Sequence, residues 1–280
     1  MRKCCFILAL FMTTITSCQK EVLNEQTQEV IKTDCRLNES TLYADSSLHE
    51  KASYTYRGDT LAHIDVSVGW DTGRYTFEYN SSGNIVRRTF YKAAAPGEVA
   101  SYTVVRYNTD GTMRKYETFL KQGTADQLEH LVELDYTAGK LTHLVSSYYN
   151  EDESTMEKDL EYEYRYTGNN ITFEIKTTYN PDNIAVSNGT YDYNSDNSHL
   201  ARFGLQLLVT DPAFESAGGD YVAALVSANN PIRLNVIDPG EEEVYTFLYT
   251  LDDKKNLKKV NIKDERGTVN YTFNYAYTCR

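Results

Sequence analysis

Histidines and carboxylates are the side chains of this chain that could bind a metal or hydrolyse a glycoside. The histidines are scattered, and no pair has the His-x-x-x-His spacing that places two ligands on one helix face. Acidic runs occur at 151–153 and 241–243, but contiguous acids on loops are usually solvated. We therefore predict no catalytic residue, no metal and no cofactor. The histidines are His49, His63, His130, His143 and His199.

One segment, 192–197, deserves comparison with a calcium-binding loop because oxygen-bearing side chains occupy its alternate positions. Such a loop needs glycine at its sixth position, where this chain has Asn197. Its twelfth position should be glutamate, and here it is Phe203. We therefore interpret the segment as a polar hairpin turn.

Cysteine provides further chemistry, and Cys18 follows a leader-like segment. Arg2 and Lys3 precede an apolar run at 4–12, and small or polar residues lead to Cys18. This pattern indicates a secretory signal whose apolar run is too short to span a bilayer. Ile15-Thr16-Ser17-Cys18 also resembles the bacterial lipobox, in which the cysteine is acylated. We therefore expect cleavage of residues 1–17 and lipidation of Cys18.

Cys35 and Cys279 are the cysteines left after Cys4 and Cys5 are removed with the leader and Cys18 is acylated. An even pair in an oxidising compartment predicts a disulfide. That bond would close nearly the whole mature chain, which the loop-entropy model values at about 5 kcal/mol. The alternative is a pair of unlinked, buried thiols.

Charge and aromatic content restrict the partners and the fold. The chain has 28 Lys and Arg against 40 Asp and Glu, and cleavage leaves 26 against 40, a net charge of −14. An acidic surface repels nucleic acids and anionic headgroups, so we expect no nucleic-acid partner and membrane attachment through N-terminal acyl chains. The 24 tyrosines favour pleated, half-buried strands.

A hairpin motif recurs from residue 54 onward: an alternating aromatic strand, a polar turn with glycine, and a second strand. Alternation puts every second aromatic on one face, and glycine supplies the positive φ of a tight turn. Because a lone hairpin cannot bury its face, neighbours must pair. We predict an all-β fold, either a long twisted antiparallel sheet or an open, barrel-like meander. The turn glycines are Gly58, Gly83, Gly111, Gly139 and Gly168.

The repeat is interrupted near 199–230, where we predict one or two short helices inserted between sheet segments. Asp211-Pro212 has the form of a helix start, the segment 221–226 is apolar, and Asn229-Asn230-Pro231 ends it. We expect a leader at 1–17, a lipidated N-terminus and flexible tether at 18–34, and a single domain at 35–280. Strands return at 232–237, 245–251, 257–262 and 270–279.

The Tyr-x-Tyr/Phe-x-x-x-Gly-x-Ile units resemble YD-type hairpin repeats. More closely, they resemble a domain of unknown function that is common in Bacteroidota cell-surface lipoproteins. The resemblance extends over residues 35–280 and includes the break at 229–231, the strand at 245–249 and the ending at 271–279. Gln19-Lys20-Glu21 similarly resembles the Lys-plus-acid export signal of such lipoproteins. The resemblance implies a lipid anchor in the outer membrane and an outward-facing domain, and it implies no activity.

Binding is the function that these features favour. Trp70 lies beside a predicted turn, and aromatics on a rigid sheet can stack against sugar rings or extended peptides. Core packing is the competing explanation for Trp70 and for the tyrosines. We hypothesise a non-catalytic surface lipoprotein that binds a glycan or peptide or has a structural role. The alternative is a glycosidase-like hydrolase with carboxylates in a cleft near the insertion at 199–230.

Overall fold

The computed structural model describes residues 35–68, 72–180, 183–198, 200, 205, 222–238 and 240–279. The chain forms two compact units, one of Arg36–Thr278 and the other of Met1–Cys35 with Cys279–Arg280. In the second unit the described residues are Cys35 and Cys279, and the predicted disulfide joins them. Within the described residues, no helix is long and apolar enough to cross a membrane.

The described residues form one antiparallel sheet in which each strand pairs with its sequence neighbours. The sheet is a closed barrel because β1 lies beside β16, so the expected open or merely twisted sheet is corrected here. Closure removes the two edge strands that an open sheet would expose. The strands are β1 (Cys35–Ala44), β2 (Ser47–Arg57), β3 (Thr60–Val68), β4 (Gly73–Tyr79), β5 (Ile85–Lys92), β6 (Val99–Tyr107), β7 (Met113–Gln122), β8 (Ala125–Thr137), β9 (Lys140–Asn150), β10 (Thr155–Thr167), β11 (Asn170–Asn180), β12 (Asn183–Asn197), β13 (Asn229–Asp238), β14 (Glu241–Leu251), β15 (Leu257–Lys263) and β16 (Val269–Cys279).

The five predicted hairpin turns are confirmed, and they lie together at one end of the barrel, here called the turn end. All five turn glycines have positive φ, between 59° at Gly168 and 88° at Gly111. The hairpin of β14 and β15 turns at the same end without glycine, because Lys255 adopts a φ of 63°. The opposite end of the barrel is here called the mouth end.

A bulge recurs on the second strand of these hairpins, immediately after its first inward residue. In β11, for example, Tyr166 pairs with Ile171 and Arg165 pairs with Phe173, so one residue is left over. A single extra residue exchanges the inner and outer faces of the rest of the strand. Shifts at the same place occur in the β2–β3, β4–β5, β6–β7, β8–β9 and β14–β15 pairs.

At the turn end, tyrosine hydroxyls in five of the strand pairs donate to a backbone carbonyl of the preceding pair. The Tyr166 hydroxyl, at the end of β10, donates to the Leu141 carbonyl at 2.9 Å. Leu141 is the inward residue that immediately precedes the bulge in β9. Burial of these phenols raises their pKa values, to about 12 for Tyr107. The tyrosine content therefore has a structural explanation. The equivalent donor–acceptor pairs are Tyr79–Leu61, Tyr107–Ile85, Tyr193–Ile171 and Tyr249–Pro231.

Toward the turn end, the barrel interior is apolar and aromatic and the outer wall is polar. In β10, Tyr162 and Tyr164 are buried, and the residue that follows each of them, Glu163 or Arg165, is exposed. Adjacent β8 follows the same rule, with buried Val132 and Leu134 and exposed Glu133 and Asp135. Such alternation with a period of two residues is what a water-facing wall over a packed core requires.

The interruption between β12 and β13 occupies the position of a hairpin turn, and its described helix, α1 (Val222–Val226), is buried. The Ser227 hydroxyl accepts from the Ile171 amide at 3.0 Å and lies 3.0 Å from the Tyr193 hydroxyl. The described part of the insertion, helix α1, therefore places buried apolar side chains at the turn end of the barrel. The predicted helix at 221–226 is confirmed; of 199–221, the structure describes only Leu200 and Leu205.

Candidate ligand-binding cavity

A cavity of about 450 Å³ lies inside the barrel at the mouth end, between β11 and β16. Its volume is within the usual range of small-molecule sites. The polar wall comes from β11 and β12, and the apolar wall comes mainly from β13 to β16. The lining residues are Glu174, Lys176, Thr178, Ala185, Ser187, Leu234, Val236, Asp238, Glu243, Tyr245, Phe247, Ile262 and Tyr271.

Glu174 is the buried carboxylate of this cavity, with 5% of its surface exposed. It faces inward because the β11 bulge has reversed the alternation two residues earlier. Gly189 pairs with it on β12 and gives it room, since a Cβ there would lie 2.7 Å from Glu174 Cγ. Gly189 pairs in turn with Val236, and Val236 with Glu243. Two carboxylates thus lie on one row, separated by a glycine and a valine.

Tyrosine hydroxyls hold both of these carboxylates. Tyr191 donates to Glu174 Oε2 at 2.8 Å, and Tyr245 donates to Glu243 Oε2 at 2.5 Å. Burial, reinforced by the neighbouring Glu174 carboxylate, raises the pKa of Tyr191 well above its ordinary value of 10. The phenol therefore stays protonated and donates its hydrogen bond to the Glu174 carboxylate.

Among the described lining residues, Lys176 supplies the cationic side chain. Its strand position is next inward after Glu174, and its ammonium lies 5.8 Å from the centre of the Tyr162 ring. Opposite it, Leu234, Phe247 and Ile262 are buried and apolar. The cavity can therefore surround the apolar body of a small molecule and bind its polar groups along one side.

The sequence-predicted site residues have different locations. Cys35 and Cys279 are joined, whereas Cys18, the tether at 18–34 and Trp70 lie outside the described residues. The acidic run at 151–153 is exposed in the turn between β9 and β10. In the second run, 241–243, Glu241 and Glu242 are exposed, whereas Glu243 faces inward and lines the cavity, unlike the usual solvated acidic loop.

The remaining candidates carry no described binding site. The segment 192–197 forms the end of strand β12 rather than a hairpin turn, so that interpretation is corrected. Within the residues that the structure describes, no three His, Cys, Asp or Glu side chains are grouped to hold a metal ion. The cleft expected near the insertion at 199–230 falls mostly on residues outside the described part of the chain, and the cavity above lies at the opposite end of the barrel.

Glu161 forms a second polar network, on the outer wall. Its carboxylate accepts from Lys158 at 2.8 Å and Tyr179 at 2.5 Å, and His143 Nε2 lies 2.6 Å away. These hydrogen bonds, that of Lys158 foremost, lower the pKa of Glu161 to about 2. The network connects β9, β10 and β11, so its geometry is that of a cross-strand link.

The comparisons with known proteins agree with the fold. A family model described as "Uncharacterised protein" matches residues 13–156, more than half of the chain. A search of curated proteins finds no match. The chain is similar in structure to a porin-like protein from Bacteroides uniformis, with 13% identity, a TM-score of 0.50, and coverage of 86% of this chain and 96% of that chain. A porin-like protein from Bacteroides vulgatus has 13% identity and a TM-score of 0.47, with coverage of 86% of this chain and 98% of that chain. At such identity the first likeness shows the barrel fold alone.

Proposed function

We propose that this chain, which belongs to the family described as "Uncharacterised protein", is a lipid-anchored, non-catalytic binding protein whose barrel stands outside the bilayer. Its ligand, a glycan or a peptide, binds in the cavity at the mouth end. The observation that carries the proposal is the cavity itself, with a hydrogen-bonding wall facing an apolar wall. Sugar rings and peptide side chains both present apolar and polar surfaces to such a site.

The polar outer wall supports placing the barrel in water. A membrane-spanning barrel has an apolar band around its outside and a polar interior, which is the reverse of the arrangement in β8 and β10. Among the described residues, exposed large apolar side chains are concentrated on β12 to β14 and do not form the encircling band that a lipid-facing barrel needs. On those three strands they are Ile184, Val186, Ile232, Ile237, Leu248 and Leu251.

Attachment through Cys18 would direct the cavity away from the membrane. Arg36, the second residue of β1, hydrogen-bonds the Gly58 carbonyl and Asp59, so β1 begins at the turn end. The first barrel strand therefore begins at the end opposite the cavity. With the export signal that Gln19-Lys20-Glu21 resembles, this orientation makes the cavity accessible from the cell exterior.

The test of the binding function is a substitution that fills the cavity. Ala185 lines it, while the next residue, Val186, points outward and is 43% exposed. Glycan and peptide arrays probed with the full chain should yield a ligand that Ala185→Phe no longer binds. Val186→Phe is the matched control on the opposite face of the same strand, and it should bind as the parent does. Equal binding by both variants would show that the ligand binds outside the cavity.

A further inference from the structure

We infer that the ligand of the cavity is a neutral oligosaccharide, and that one of its sugar rings binds in a second recess on the rim of the barrel. This inference rests on the proposed binding function and specifies the class of its ligand. The recess, here called the rim notch, lies at the mouth end. Its lining includes Tyr148, Glu157, Lys158, Tyr179, Asn180 and Asn183.

The rim notch opens where two neighbouring strands stop pairing. The last paired residues of β10 and β11 at the mouth end are Leu160 and Thr178. However, β10 begins at Thr155, and β11 continues to Asn180. A recess of about 770 Å³ lies between these strand ends. Its volume is within the range of ligand sites, so the notch can hold a ligand group of its own.

The rim notch adjoins the cavity along β11 and β12. Thr178 and Ala185 pair with each other, and both line the cavity. Asn180 and Asn183 are the next pair on the same face toward the mouth, and both line the notch. Two residues of strand separate these pairs, a distance of about 7 Å. A ligand made of linked units can therefore occupy both places at once.

The polar side chains of the rim notch suit a ligand rich in hydroxyl groups. The Glu157 carboxylate accepts from the Tyr148 hydroxyl at 3.2 Å and from the Asn150 amide at 2.6 Å, so its orientation is fixed. Asn180 and Asn183 add two amides, each of which contains donors and an acceptor. A sugar hydroxyl is itself both a donor and an acceptor, so an amide can match it in either role.

Two tyrosine rings border the rim notch, Tyr148 from β9 and Tyr179 from β11. Both side chains are half-buried, and their hydroxyls donate to Glu157 and Glu161, which holds the rings in place. A side chain that is already fixed loses little conformational entropy when it contacts a ligand. Aromatic faces pack against the apolar face of a sugar ring, while the polar groups beside them bind its hydroxyls.

Charge and apolar content argue against other ligand classes. Among the described lining residues, Glu157 and Lys158 are charged, and their opposite signs favour a neutral ligand over an ion. A peptide that added to the strand ends would need apolar pockets for its alternate side chains. The aliphatic side chain that lines the notch is Ile184, which is 60% exposed. A neutral oligosaccharide is therefore the better match.

Arrays of neutral oligosaccharides test the inference. The probes are chains of one to six glucose, mannose, galactose or xylose units, with end-blocked hexapeptides as the competing class. At least one sugar series should bind the full chain, and the peptides should not. Calorimetric titration of that series should show affinity rising with chain length, because longer chains extend from the cavity to the rim notch.

Substitutions on one strand separate the notch from general effects. Tyr148→Ala removes a ring of the notch, so it should weaken binding of the longer sugars about tenfold and leave the single sugar unit unchanged. Tyr149 is the matched control because it points to the opposite face of β9, and Tyr149→Ala should change neither affinity. Asn183→Ala provides the same test at an exposed position if Tyr148→Ala folds poorly.

The possible failures are distinguishable. Peptide binding that Ala185→Phe abolishes, with no sugar bound, would overturn the oligosaccharide inference and leave the binding function standing. Sugar binding that does not strengthen with chain length, or that Tyr148→Ala and Asn183→Ala both leave unchanged, would also overturn the inference. Sugars or peptides that bind the Ala185→Phe variant as tightly as the parent would instead contradict the proposed function. Binding of no sugar and no peptide would contradict both.

Discussion

Two tyrosines at equivalent positions of neighbouring hairpins test whether the tyrosine-to-carbonyl hydrogen bonds between hairpins stabilise the barrel. Tyr166 donates to the Leu141 carbonyl at 2.9 Å. Tyr136 occupies the same place one hairpin earlier and is equally half-buried, but its buried hydroxyl has no hydrogen-bond partner among the described residues. Burial raises the pKa of both phenols above the ordinary value of 10. Phenylalanine substitution removes the same atom from both sites in different surroundings.

The expected effects have opposite signs. Tyr166→Phe removes a hydrogen bond worth about 1 kcal/mol net and should lower the free energy of unfolding by that amount. Tyr136→Phe removes an unsatisfied buried hydroxyl, so it should leave stability unchanged or raise it by on the order of 1 kcal/mol. In a domain of this size the first change corresponds to a fall in Tm of about 2–4 °C.

Urea denaturation of both variants measures the difference directly. The midpoints should separate while the m-values stay equal, since neither change alters the surface exposed on unfolding. Equal losses from the two substitutions, or a larger loss from Tyr136→Phe, would refute the assignment of the tyrosines as cross-hairpin donors.

Three further predictions concern stability. Hydrogen bonds to the ionised Glu161 carboxylate lower its pKa to about 2, so they stabilise the fold above about pH 4.5. This contribution is lost as the pH falls toward 2. In urea titrations, Glu161→Gln should therefore be destabilising at pH 7 but nearly neutral near pH 2. Burial raises the pKa of Tyr56 and Tyr107 from 10 to about 12, so the free energy of unfolding should fall as the pH rises from about 10 to 12. Tyrosinate absorbance should then appear together with unfolding. Gradual ionisation of the folded protein would contradict this. Replacing Cys35 and Cys279 by serine should lower stability by on the order of 5 kcal/mol in guanidinium titrations, given their separation of 244 residues, and an unchanged midpoint would show that the bond is dispensable.

The hairpins could be predicted because their signals are local. Aromatic alternation and a turn glycine determine a two-strand unit within about 25 residues, and Gly83 and Gly111 show the positive φ that the motif requires. Closure could not be predicted in this way. It depends on β1 meeting β16 across the whole chain, as in the 3.1 Å hydrogen bond from Asn274 to Thr41. Local patterns contain no information on such a distant pairing.

The cavity lining cannot be predicted from hydrophobic alternation, for a specific physical reason. In the segment 171–176, Phe173 and Ile175 alternate with Glu174 and Lys176, so hydrophobicity alone assigns the charged pair to the outer wall. The bulge after Ile171 reverses that assignment. Equivalent bulges in earlier hairpins give the three-residue spacings Leu61–Ile64 and Leu141–Leu144 between inward residues. That spacing is the sequence signal from which the bulge after Ile171 could be predicted.

We propose that lipid, and not the barrel, holds this protein at the membrane. The direct measurement replaces residues 1–18 with a secretory leader that is cleaved without lipidation, and compares its fractionation with that of the native chain. We predict that the native chain requires detergent for extraction, while the exchanged chain is released in detergent-free buffer with its Cys35–Cys279 bond intact. An exchanged chain that remains in the membrane after an alkaline carbonate wash would show that the barrel itself is inserted, and would contradict the claim.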